Sequence, residues 1–258
     1  MKKNIYLTVL TIVTVICVIV GSCYHLIGWG VSLAEWLNRS VFHKQTENAG
    51  NLMTDTVNLD AFSNITADIN VMDFTLTEGS DFSISYSASK KLVPEYEVKN
   101  NTLTLKQKDI KGNQFPGTGN KKCTVIITVP DSLQTVQIDA NVGDVDLDGI
   151  SAKSLILDAN VGDVDVTECS FEQVKADASV GDVDFENSSF QSMDISADVG
   201  DVSVSADGLS DYRMELSTDI GEVSVNGRNY RKNYAQSGDS DCKLIINNST
   251  GDIEVSYR

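Results

Sequence analysis

The sequence predicts an all-β protein: a single-domain β-solenoid, a β-helix-like stack of coils of about 19 residues, preceded by one N-terminal transmembrane helix. Three observations carry this prediction. A Val-Gly-Asp-Val step recurs at Gly143, Gly162 and Gly181, and as VGDVS at Gly200, each glycine 19 residues from the last. The step returns in looser form as DIGEVS at Gly221 and TGDIEV at Gly251. Fixed spacing followed by stretched spacing is the mark of stacked repeats with insertions. Around each glycine, apolar and polar residues alternate with period two, as in half-buried strands. Finally, residues 4–34 contain no Asp, Glu, Lys or Arg.

Residues 1–37 read as the membrane segment. The uncharged run exceeds the roughly 20 apolar residues needed to cross a bilayer. Lys2 and Lys3 precede it, which holds the start of the chain in the cytoplasm and places the rest outside. Three fates are open: an uncleaved signal anchor, conventional cleavage, or lipidation at Cys23. The last is suggested by VGSC at 20–23, although Tyr24, His25 and Leu26 continue the apolar run. Residues 38–56 form a polar tether, spanning at most roughly 65 Å when extended.

The domain occupies residues 57–258. Its first part, 57–130, holds irregular opening coils with alternating, β-branched strands such as FSISYSAS (82–89) and CTVIITVP (123–130). NVMDF (70–74) is a degraded copy of the repeat, with Met72 where the glycine would stand. Residues 131–225 are the regular repeats, each a strand, a glycine bend and a second strand. Val145, Val164, Val183 and Val202 fall on one face and should stack inward at about 4.8 Å. Glycine suits the bend because the backbone there turns tightly or approaches a neighbour. Residues 226–243 are polar and read as a loop or hairpin inserted into one coil; 244–258 form the last coil.

The formal charge of −17 excludes nucleic acid, whose phosphates demand Lys and Arg, and argues against adhesion to anionic lipid. Cys123, Cys169 and Cys242 are widely spaced and no CxxC occurs, so a zinc site is not expected. Buried free thiols are the expected state, with a Cys123–Cys242 disulfide the alternative.

Here the residues resemble a known family. VIITVPDSLQTVQIDANVGDVDLDGI followed by GDV repeats is similar to the bacterial "putative adhesin" β-strand-repeat family, over roughly residues 55–258. The resemblance implies a β-solenoid-like domain behind a single membrane segment at a bacterial cell envelope, and supplies no catalytic motif. The chain departs from it at Met72 and at 226–243.

The repeats set out two acidic rows. One runs through Asp144, Asp163, Asp182 and Asp201, continued by Glu222 and Asp252; the other through Asp146, Asp165 and Asp184, then Ser203, Ser224 and Glu254. Neighbouring carboxylates about 5 Å apart repel by roughly 1 kcal/mol in bulk water. Such rows are tolerable when hydrated, where they discourage edge pairing and aggregation. The sharper alternative is calcium held by Asp144, Asp146, Asp163, Asp165, Asp182, Asp184 and Asp201, because hard cations take several oxygens. No other cofactor is implied, and neither the GGxGxDxUx repeat nor a DxDxDG loop is present. A third reading is a surface for a basic partner or a polymer. Asn141, Asn160, Ser179, Asp198, Asp219 and Ser249 precede the bends and should bond local backbone.

An enzyme is not expected. His25 and His43 lie outside the domain, leaving no Ser-His-Asp or Cys-His set. Paired aspartates could cleave glycosides, but one acid must then differ from its neighbour, and repeated acids are alike. Trp29 and Trp36 are also outside, so a sugar subsite would rest on Tyr86, Tyr96 and Tyr212. The expected function is a non-catalytic binding or scaffold module with an envelope protein or glycan as partner.

Overall fold

A computed structural model describes residues 52–108, 122–130 and 132–257. The apolar segment and most of the tether therefore lie outside the described residues. The described chain is all β, with one 3-10 turn at Leu209–Asp211. The opening strands are β1 (Met53–Asn58), β2 (Asn64–Ile69), β3 (Asp73–Glu78), β4 (Ser83–Ala88), β5 (Glu95–Lys99), β6 (Thr102–Lys106) and β7 (Thr124–Val129). The regular repeats give β8 (Leu133–Ala140), β9 (Val145–Asp148), β10 (Ser151–Val161), β11 (Val164–Thr167), β12 (Ser170–Val180), β13 (Val183–Glu186), β14 (Ser192–Val199) and β15 (Val202–Ser205). The closing strands are β16 (Tyr212–Ile220), β17 (Val223–Val225), β18 (Arg228–Asn229), β19 (Asn233–Gln236), β20 (Asp239–Thr250) and β21 (Ile253–Ser256).

These strands form two mixed sheets of 11 and 10 strands. Each regular repeat gives one long strand to the second sheet and, past the glycine, one short strand to the first. The pairing is parallel and offset by one repeat: Val164 faces Val145 and Val183, and Leu157 faces Ile138 and Ala176. Alternation then drives one set of side chains between the sheets. Val145, Val164, Val183 and Val202 are at most 1% exposed, and in the second sheet Val136, Leu155, Val174 and Met193 are at most 3% exposed.

Coil order departs from chain order at both ends. After β14 and β15, the chain skips one place, lays down β16 and β17, and returns with β20 and β21 to fill the gap. Gly251 thus sits between Gly200 and Gly221, and the first acidic row runs Asp201, Asp252, Glu222 instead of ending in chain order. The opening is arranged likewise. The coil β2–β3 lies against β8–β9, while β6–β7 is the outer coil on its far side.

Antiparallel strands close the stack, and residues 226–243 supply two of them, β18 and β19. β18 pairs with β17, and β19 with β16, at one end; β5 and the pair β4–β1 do the same at the other. The physical reason is that an outermost parallel strand would leave an unpaired edge and an open core. The terminal segment therefore carries tyrosines: Tyr230 packs on Tyr234 at 4.6 Å, and Tyr234 and Tyr257 share Gln236 through their hydroxyls. At the opening end the buried Gln107 side chain accepts the Asn70 and Val71 N–H groups at 2.9 and 2.6 Å.

Candidate functional site

The glycine corner, where the chain crosses from the second sheet to the first, brings the singled-out residues together. Gly181 shows why glycine stands there: its φ is +141°, and a Cβ would lie 2.0 Å from the Gly162 carbonyl oxygen. Gly200 meets the Gly181 carbonyl in the same way at 1.9 Å. From Gly143 onward the coils approach too closely at this row for any side chain, whereas Met72 takes the glycine's place in the opening coil.

The aspartate after each glycine has a defined task. Asp163 Oδ1 accepts the backbone N–H of Asp182 at 2.9 Å, Asp182 Oδ1 that of Asp201 at 2.8 Å, and Asp201 Oδ1 that of Asp252 at 2.7 Å. The series starts at Asp73 and Asp144 and ends with Asp252 accepting from Glu222 at 2.9 Å. An N–H left unpaired at the bend finds its acceptor one coil away. Lys122 closes the first rungs, 3.3 Å from Asp73 and 3.2 Å from Asp144.

Asp146, Asp165 and Asp184 form the second row, two residues on along β9, β11 and β13. Partial burial, with the repulsion of neighbouring carboxylates, pushes the pKa of each of these three above the ordinary value. The seven calcium candidates therefore share one strip, but one oxygen of each first-row carboxylate is turned to backbone. Among the described residues no three acidic, His or Cys side chains group as a metal site.

Two features were not singled out by sequence reasoning. A third acidic row, Asp68, Asp139, Asp158 and Asp177, crosses the outer face of the second sheet in register, with Lys106 paired to Asp68 from the next strand and Lys175 to Asp177 from its own strand. Burial, together with Asp158 and Asp68, pushes Asp139 upward. The 19-residue spacing of 139, 158 and 177 was a legible signal. The second feature is an exposed aliphatic ridge directly before the glycines, at Val142, Val161, Val180, Val199 and Ile220, each 43–57% exposed.

The residues before the bend do not behave as expected throughout. Asn160 donates from its amide to Asn141 at 3.0 Å, and Asn141 to Asn70 at 3.0 Å, so these side chains link coils instead of capping local backbone. Stacking at strand spacing puts like amides within reach of each other. Ser179, Asp198, Asp219 and Ser249 continue that position along the stack.

The tyrosines named for a sugar subsite form no exposed platform. Tyr86 is buried, Tyr96 packs on it at 6.5 Å, and Tyr212 packs edge-on to Phe190 with its hydroxyl donating to the Phe190 carbonyl. Cys123, Cys169 and Cys242 are free. Cys123 adjoins β7 and Cys242 lies in β20, six coils apart, or about 29 Å at strand spacing, beyond any disulfide. Burial pushes the Cys169 thiol up to about 11. At the opposite corner an open groove of about 450 Å³ is lined by Ser151, Ser170, Ser189, Lys153, Glu172 and Phe171 among others.

The fold has a solved counterpart. A solved "putative cell adhesion protein" from Clostridium sporogenes superposes with a TM-score of 0.50 at 15% identity, covering 80% of this chain and 100% of its own. A "putative adhesin" from Bacteroides fragilis gives 0.43 at 18% identity, covering 79% and 96%. No curated protein matches. The family model described as Toastrack DUF4097 matches residues 62–257, and the chain belongs to that adhesin-like β-repeat family of unknown function.

Proposed function

We propose that the chain is a non-catalytic binding or scaffold module that presents an acidic β-repeat surface outside a bacterial cell membrane, anchored by its N-terminal segment, and serves in envelope stress sensing. One observation carries this reading. The chemically expressive side chains lie in continuous solvent-facing rows, repeated coil after coil, instead of converging in one pocket. A repeated row suits an extended partner; a catalytic centre needs one place unlike the rest.

A surface adhesin for glycan or protein is the second reading, favoured by the description of the Clostridium sporogenes protein. The short tether supports the first, since it holds the domain near the membrane. The test is a photo-crosslinker at Ser203, between Asp184 and Glu254, in whole cells. A discrete protein adduct is the expected result. A wall-associated glycan adduct would favour the adhesin, and no adduct would contradict binding at this surface.

A further inference from the structure

Resting on that reading of a binding surface, we propose that the aliphatic ridge at the glycine corner docks a basic amphipathic helix of a partner protein. Five of the six rungs from Val142 to Ile220 carry a β-branched aliphatic side chain; the sixth, between Val199 and Ile220, is Thr250. Each aliphatic rung is 43–57% exposed, although a threonine fills the same place without disturbing the stack. Contiguous exposed apolar surface rimmed by polar groups marks an interaction site.

Charge and spacing name the occupant. Asp144, Asp163, Asp182 and Asp201 flank the ridge on one side, and Asp139, Asp158 and Asp177 on the other. Among the described residues Lys122 alone pairs with the first of these rows, at its opening end. Such a rim repels a second copy of this chain and an anionic bilayer, and attracts Lys and Arg. Rungs repeat at about 4.8 Å. Same-face residues of a helix rise about 4.5 Å at i+3 and 6 Å at i+4, whereas those of an extended strand rise about 6.7 Å. A helix of about 16 residues covers the roughly 24 Å from Val142 to Ile220.

The test uses the full-length protein in detergent and an 18-residue Leu/Lys peptide with leucines at i, i+3 and i+4. A peptide of equal composition with scattered leucines is the control. The variant Val161→Thr/Val180→Thr/Val199→Thr leaves every charge in place, and circular dichroism checks its fold. The expected result is at least a tenfold loss of affinity both in the variant and with the scattered peptide. Equal binding in either comparison would show that charge alone acts, and would overturn the assignment; so would failure of the helical peptide to bind the native chain. If Ser203 adducts form while the peptide fails, the ridge falls and the binding module stands. If self-association is what the variant loses, the occupant is a second copy and the helix assignment is wrong.

Discussion

Asp163 and Asp165 belong to one repeat and differ only by position, yet substitution should move stability in opposite directions. Asp163 Oδ1 holds the Asp182 N–H at 2.9 Å. Asp163→Ala removes that acceptor, and a hydrogen bond to a charged group contributes about 1.5–3 kcal/mol net, less where water can replace it. A loss of about 1–2 kcal/mol follows, or about 2–8 °C in Tm for a domain of this size. Asp163→Asn keeps an acceptor oxygen and should retain most of it. Asp165 stands between Asp146 and Asp184 in the parallel register, at about 4.8 Å from each strand. Two such repulsions amount to about 1.7 kcal/mol in water and about 1 kcal/mol at physiological salt. Asp165→Asn should therefore stabilise by up to about 1 kcal/mol. Urea unfolding followed by circular dichroism measures all three variants. If Asp163→Ala matched Asp163→Asn, or if Asp165→Asn destabilised, the division into a backbone-pairing row and a repelling row would be refuted.

Gly181→Ala should cost at least about 3 kcal/mol, because its Cβ would meet the Gly162 carbonyl at 2.0 Å in a φ of +141°; a native-like Tm would contradict the close approach. Asp139, Asp146, Asp165 and Asp184 have pKa values raised on folding, so the folded state binds more protons than the unfolded one in the window just above the ordinary value of 3.8. That stability is present below this window and lost as pH rises through the raised values. Urea midpoints at low salt should rise as pH is lowered from 7 into the window just above 3.8, and a fall across it attributable to these four groups would reverse the sign. In a Cys17→Ser/Cys23→Ser background, thiol labelling at pH 8 should reach half-buried Cys242 first and buried Cys169 last; rapid labelling of Cys169 would place it elsewhere.

The period of 19 residues and the inward valines could be read because alternation and glycine each answer to local geometry: period two sorts faces, and only glycine fits a corner crossed by a carbonyl. Position within the stack has no such local signature. Val202 pairs with Val183 on one side, but nothing in its neighbourhood in the chain says that the other side is taken by Ile253 instead of Val223. That choice belongs to the 226–243 segment, which lays Tyr230 and Tyr234 against the core between β17 and the returning β20. Asp68 joins the third acidic row from 71 residues away, beyond the repeat that links Asp139, Asp158 and Asp177. The ridge has no signature in the sequence because alternation breaks at the corner: Ala140 and Val145 are buried while Val142 between them is exposed.

The interleaved coil order supports every row described above, and engineered disulfides test it most directly. In a background with all five cysteines replaced, Ser203→Cys is combined with Glu254→Cys in one variant and with Ser224→Cys in another. Ser203 and Glu254 lie on neighbouring strands, whereas Glu254 separates Ser203 from Ser224, two spacings or about 9.6 Å away. A disulfide needs Cα atoms within about 7 Å. Mild oxidation should therefore link 203 to 254 and leave 203 and 224 unlinked. A bond between 203 and 224, with none between 203 and 254, would restore chain order to the stack and contradict the account.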